Sequence, residues 1–214
     1  MNKLIFTFLI LIFFSTPYSL QAQQSDKATA LLNEVSETMA NYKDLYIKFK
    51  YTLENKEVDM KQESEGIAYT YGEKYNLDFM GNIFIFDGVN TYIILEEDEE
   101  INIIDGSSEE DLLTPTKLFS FYKEGYSYEL EAKEQKDGRR FQQVKLIPID
   151  SNSESAYFLL RIDLDSKNID AIVNIGNNGT ETTFSIIEFK ANQEPSNRLF
   201  SFDKSKYPNY TINE

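Results

Sequence analysis

Apolar residues recur at every second position through most of this 214-residue chain. A period of two admits one local structure, the β-strand with a dry face and a wet one. In YIKFKYTLE, Ile47, Phe49, Tyr51 and Leu53 share one face, while Lys48, Lys50, Thr52 and Glu54 share the other. Ile67, Tyr69 and Tyr71 alternate up to a turn at Gly72-Glu73, and Tyr75, Leu77 and Phe79 then alternate again. Ile83, Phe84, Ile85 and Phe86 break the rule by being apolar on both phases, until Asp87-Gly88 ends the run. Further strands are expected over 91–95, 101–104, 126–133, 141–147, 157–163, 169–175 and 182–190. Asp87-Gly88, Asp137-Gly138 and Asn178-Gly179 separate them with hairpin chemistry. So many strands at short spacing predict an antiparallel meander, curled or closed, in a mainly β chain with a few helices.

Two segments depart from that period. Ser25 is placed to cap a helix whose Ala28, Leu31, Leu32, Val35 and Met39 fall on one stripe. In LTPTKLFSFYKEG, Thr114 can cap, Pro115 suits a first helical position, and Gly125 closes the segment. A helix carrying Leu118, Phe119, Phe121 and Tyr122 must lie against something dry. It is either a plug closing one end of a barrel core or a lid over a cavity.

The first residues read as a leader rather than as fold. Lys3 supplies positive charge, residues 4–14 are almost continuously apolar, and Ser19-Leu20-Gln21-Ala22 has the small residues of a cleavage site. Residues 1–22 are therefore expected to be removed, against the alternative of a retained anchor, leaving 23–214 as one domain. The chain has no Cys, hence neither disulfides nor a lipid-accepting thiol, and the mature protein is expected to be soluble. Its net charge of −15 argues against nucleic acid and against anionic membrane surfaces, both of which are held by clustered Lys and Arg.

With no His either, the chain lacks Ser-His and Cys-His nucleophilic pairs, imidazole bases and the common zinc and copper ligands. No catalytic residue, metal site or cofactor is predicted. Carboxylates are plentiful at Glu96–Glu100 and Glu109–Asp111, but both runs adjoin turns and read as solvated faces. Neither they nor Asp163–Asp170 match an ordered calcium loop. A glycosidase-type carboxylate pair has no candidate residues. Asn178-Gly179-Thr180 and Asn209-Tyr210-Thr211 fit the glycosylation pattern and read as turn and tail.

The order of the pieces is more telling than any one of them. The helix LLNEVSETMANYKDL is followed by YIKFKYTLE, EGIAYTYGEKYNL, FDGVNTYII, TPTKLF, VKLIPID, FLLRIDLDSKNIDAI and FSIIEFKANQEPSNRLFSFD. Across the whole mature chain this resembles the periplasmic outer-membrane lipoprotein carrier family (LolA-like), anchored on Gly66, Asp87-Gly88 and Thr114-Pro115. The resemblance implies an incomplete antiparallel barrel whose concave apolar face is covered by the N-terminal helix and a short lid helix. It also implies a cavity for acyl chains, lined by aromatic strand faces. The residues expected there are Phe49, Tyr51, Tyr69, Tyr75, Leu77, Phe79 and Phe84, with Leu118, Phe119, Phe121 and Tyr122 on the lid.

Members collect acylated lipoproteins from an inner-membrane ABC transporter and ferry them across the periplasm to an outer-membrane acceptor. The expectation is therefore a soluble, monomeric periplasmic chaperone that does no covalent chemistry. One departure stands out: proteobacterial carriers place an arginine in the turn that here reads Gly72-Glu73-Lys74. Lysine cannot reproduce the planar fork of a guanidinium. A related module that binds or senses another lipid or amphiphile is thus the first rival reading, and a carboxylate-dependent hydrolase is the second.

Overall fold

A computed structural model describes residues 18–106 and 115–213. Residues 1–17, the Thr114 cap and the Glu109–Asp111 run lie outside the described residues.

Helix α1 (Tyr18–Ala40) opens the chain, followed by strands β1 (Asp44–Asn55), β2 (Met60–Tyr71), β3 (Lys74–Phe79), β4 (Asn82–Phe86), β5 (Asn90–Leu95) and β6 (Glu100–Asp105). A one-turn helix α2 (Pro115–Leu118) and a 3₁₀ turn (Phe121–Lys123) come next. Strands β7 (Tyr126–Lys136), β8 (Arg139–Pro148), β9 (Ser155–Asp163), β10 (Ile169–Gly176) and β11 (Glu181–Ala191) complete the meander. Two further 3₁₀ turns (Asn197–Phe200, Lys204–Lys206) lead to a last short strand, β12 (Thr211–Asn213).

Among the described residues all strands belong to one sheet, in the order β12-β6-β5-β4-β3-β2-β1-β11-β10-β9-β8-β7. The sheet is open and curved, an incomplete barrel with helices on its concave side, as expected from sequence. Neighbours pair antiparallel except at the edge, where β12 runs parallel to β6. The two hairpin meanders meet at β1 and β11, whose register sets Ile47 opposite Phe189 and Tyr51 opposite Phe184.

The helices differ from expectation. Ser25 does not cap α1, because the helix begins at Tyr18 and Ser25 lies in its interior. In the uncleaved chain Gln21, Ala22, Gln23 and Gln24, all good helix formers, carry the helix back past it. Nor is there one continuous lid helix: after α2 the backbone leaves helical geometry at Ser120, with φ −133° and ψ −14°. Phe121 and Tyr122, which follow, pack in two different places, one on Phe158 and Tyr126 and the other against α1, which one helical face cannot supply.

The concave side divides into two halves. Helix α1 fills one, burying Ala28, Leu31, Leu32 and Val35 with Val144 and Leu146 of β8, Leu160 and Ile162 of β9, and Ile169 and Ile172 of β10. Tyr42 donates to Asn168 Oδ1 at 3.0 Å, and Lys167 pairs with Glu34 at 2.6 Å, tying this helix to the β9–β10 turn. The other half, over β1–β4, is roofed by α2.

The convex side explains the doubly apolar β4. Phe84 and Phe86 face the concave side with Leu77 and Tyr75, their partners on β3. Ile83 and Ile85 face outward and join Ile94 and Ile101 in a second core. The C-terminal segment covers that core with Phe202, Tyr207, Tyr210 and Ile212, and Phe202 stacks on Tyr92 with ring centroids 4.7 Å apart. Hydrogen bonds fasten the segment, among them Asn76 donating to the Leu199 carbonyl at 2.7 Å and buried Asp44 accepting from the Gln193 N–H at 2.7 Å.

Candidate functional site: an apolar hollow under α2

Between α2 and the sheet lies a cavity of about 260 Å³. Its walls are Ile47, Phe49 and Tyr51 of β1, Ala68 of β2, Tyr75, Leu77 and Phe79 of β3, Phe84 of β4, and Phe184 and Ile186 of β11. Met80 stands at its rim, and Pro115, Leu118 and Phe119 form the roof. None of these side chains is charged, and the tyrosine hydroxyls are the only polar side-chain groups among them.

The room comes from the small residues of β2. Gly66, Ala68 and Thr70 point inward and are buried, while Ile67 and Tyr69 point outward. The Phe49 ring occupies the space that a side chain at residue 66 would take, since a Cβ there would lie 2.4 Å from Phe49 Cζ. From that position Phe49 meets Phe79 and Phe184 at centroid distances of 5.4 and 5.8 Å, and Tyr51 makes edge contacts with the same two rings at 5.4 and 5.2 Å. Edge and tilted contacts of this kind lock broad, stiff surfaces in place. At the opposite end Tyr75 packs on Phe86 at 5.8 Å, and its hydroxyl is buried without a hydrogen-bond partner among the described residues.

Of the residues singled out from sequence, Phe49, Tyr51, Tyr75, Leu77, Phe79 and Phe84 line this hollow, and Leu118 and Phe119 roof it. Tyr69 lies on the other face of the sheet, against Tyr46 at 5.1 Å. Strong alternation marks the apolar phase of a strand, but here the inward phase is the one with small residues, so the large tyrosine stands outside. Phe121 and Tyr122 sit away from the hollow. Phe121 packs on Phe158 and Tyr126 at 5.1 and 5.8 Å, and Tyr122 is buried with its hydroxyl 3.1 Å from Ser36 Oγ on α1. Burial pushes the Tyr122 phenol upward, which the Ser36 hydrogen bond partly offsets. One turn thus covers the cavity while the next anchors to the filled half.

Ala68, Phe184 and Ile186 were not singled out. The strand 182–190 was legible, and Phe184 and Ile186 fall on one of its faces, but no local signal tells that this face lies beside β1. Lys74 leans over the Asp87-Gly88 turn, where its Cε would be 3.4 Å from a Cβ at residue 88. Burial raises the Asp87 carboxyl, but the N–H groups of Asn90 and Val89, the Tyr92 hydroxyl and the Lys74 ammonium outweigh it and hold the group below its usual range.

The charged groups lie elsewhere. Lys48–Glu65 and Lys50–Glu63 pair across the convex face at 2.8 Å each. The buried carboxylates Asp163 and Asp170 are bound by Arg139 at 2.7 and 3.0 Å, and Arg161 also holds Asp170. Both guanidiniums lie over the Phe141 ring, at 4.8 and 5.2 Å from its centroid. These carboxylates are therefore satisfied by arginines rather than opposed across a cleft. Among the described residues no helix is long and apolar enough to cross a membrane.

No protein-family model and no curated protein matches the chain. Solved structures do. An uncharacterised conserved protein from Thermus thermophilus is 12% identical with a TM-score of 0.55, over 87% of this chain and 98% of that one. A putative outer membrane lipoprotein-sorting protein domain from Vibrio parahaemolyticus is 12% identical with a TM-score of 0.47, over 83% and 97%. A LolA superfamily protein from Nitrosomonas europaea is 10% identical with a TM-score of 0.43, over 82% and 98%. At such identities the likeness is one of fold, and the first of the three carries it. What this chain shares with known proteins is a half-barrel roofed by helices.

Proposed function

We propose that this protein is a periplasmic chaperone that binds the acyl chains of lipoproteins under α2 and carries them from the inner to the outer membrane. The observation that supports this reading is the uncharged hollow, walled by aromatic rings and left open where the sheet has a ready-made helical cover. An ordinary core would be filled there, as it is under α1. A sixteen-carbon chain exposed to water costs roughly 13 kcal/mol at about 0.8 kcal/mol per methylene. Cargo bearing several such chains crosses an aqueous gap only if shielded. At about 260 Å³ the hollow is smaller than the roughly 300–1,000 Å³ of typical ligand pockets, so loading requires α2 to move outward.

The chain does no covalent chemistry in this scheme. A leader at residues 1–22 delivers it to the periplasm, an inner-membrane ABC transporter hands over the cargo, and an outer-membrane acceptor receives it. Purification from the native host followed by mass spectrometry tests the proposal. Co-purifying acyl chains or lipoproteins are expected. Recovery free of lipid, even after incubation with acylated cargo, would rule it out.

The position of Lys74 favours a second reading. It sits against the Asp87-Gly88 turn, and without an arginine in its own turn the closed form is held differently from that of proteobacterial carriers. A module that binds another amphiphile or senses stray lipoproteins would fit that difference. Depletion separates the two, since loss of a carrier strands outer-membrane lipoproteins at the inner membrane and loss of a sensor does not.

A further inference from the structure

The apolar hollow does not end abruptly along β11. Phe184 walls it, and Thr182, two residues back on the same face, lies about 6–7 Å further along the strand. Thr182 lines a second, wider cleft of about 640 Å³ at the end of the half-barrel, between the β8–β9 and β10–β11 turns. The register sets the two side by side on one face: Ile172 pairs with Phe184, and Asn174 pairs with Thr182. The concave face thus turns from apolar to polar within one step of the sheet.

The cleft is built for neutral hydrogen bonding. Among its lining residues Glu154 is the one charged side chain, and no Lys or Arg takes part. Its rim is held in shape from within. Asn177 donates to the Ser153 carbonyl at 2.7 Å, the Thr180 N–H donates to Asn178 Oδ1 at 3.0 Å, and Asn55 donates to Thr180 Oγ1 at 3.1 Å. At the floor, Asn174 Oδ1 is buried and has no hydrogen-bond partner among the described residues. A buried acceptor left unpaired is costly, and because Asn174 lines the cleft, turning its amide to present Oδ1 to the cleft lets a ligand donor relieve that cost.

We infer that this cleft is the seat for the uncharged peptide segment adjoining the acylated residue of the cargo, with Asn174 accepting one of its N–H groups. The inference rests on the carrier reading and adds a selection rule to it. An acyl chain joined to a neutral peptide fits both compartments, whereas the same chain on a phosphate meets no cation and faces Glu154. The protein therefore distinguishes lipopeptide from phospholipid by the head, not by the tail.

The test uses the mature protein with two soluble probes that carry the same tails, a dioctanoylglyceryl-cysteinyl tetrapeptide of uncharged residues and dioctanoyl phosphatidylglycerol. Titration calorimetry should give a preference of about five- to tenfold for the lipopeptide, the worth of one or two hydrogen bonds. Asn174→Leu should abolish that preference. Thr182→Val, which keeps the size of the side chain, should reduce it, and it serves if Asn174→Leu fails to fold. Equal affinity for both probes in the wild type, or a preference unchanged in both folded variants, overturns the inference and leaves the carrier reading standing. Failure to bind either probe overturns both.

Discussion

The ring of Phe49 lies over Gly66 on the neighbouring strand, in the place where any larger residue would put its Cβ. The hollow depends on this relationship, because the tip of the ring takes the space over Gly66 instead of projecting under α2.

Gly66→Ala should therefore push the Phe49 ring inward. We expect a loss of about 1–3 kcal/mol in stability from overpacking and a marked fall in affinity for fatty acid, as the ring takes up ligand space. Denaturant unfolding and displacement of a fluorescent fatty acid measure the two effects. Phe49→Leu in the same chain should restore part of the affinity, and an unchanged affinity in Gly66→Ala would show that the ring does not bound the binding space.

Phe119 roofs the hollow and is buried. Phe119→Glu would bring an unpaired carboxylate against an apolar lining, at a cost of several kcal/mol if the roof closed. The roof should stay open at neutral pH, and fatty-acid affinity should drop at least about tenfold while the β-sheet circular dichroism is retained. Full affinity in a folded variant would argue that α2 does not cover the ligand.

Acid should weaken the filled half through Asp163. Burial raises this carboxyl, but the N–H groups of Ser166 and Asp165 and the Arg139 guanidinium outweigh it and hold it below its ordinary range. A group depressed in the folded state stabilises above its unfolded pKa, about 3.9. That contribution is lost as pH falls through the folded value. Asp163→Asn should lower the melting temperature at pH 7, and the gap to wild type should begin to narrow near about pH 4 and keep shrinking as pH falls toward the lowered folded-state value. A gap independent of pH would refute the assignment.

Asp44 ties the C-terminal segment to the start of β1, accepting from the N–H groups of Gln193 and Glu194 at 2.7 and 3.1 Å. Asp44→Ala should cost about 1–3 kcal/mol. It should also speed amide exchange in β4–β6, whose outer core that segment covers, more than in β8–β10. Uniform acceleration across the sheet would show no special tie.

The strands were legible because alternation and hairpin pairs are local signals: the expected strands over 141–147 and 169–175 lie inside β8 and β10. The doubly apolar β4 was visible as an excess, but its cause, a separate core outside the sheet, depends on Phe202 and Tyr207 far along the chain. At Tyr69 the physics misleads, because a large apolar ring suggests the inside and only the neighbouring Phe49 explains why β2 turns Gly66 and Ala68 inward. The polar cleft left no mark, since Ser, Asn and Thr in turns read as turns.

The pairing of Leu45 with Ala191 has a consequence for how the molecule assembles. The seam joining the two meanders unites residues near opposite ends of the chain, and contacts of such span are the slow ones in folding. Neither meander gains its neighbour until the penultimate strand is available, so the chain stays unsealed until almost all of it has been delivered. Under the proposed delivery to the periplasm, that delay keeps the chain threadable until it has crossed the membrane.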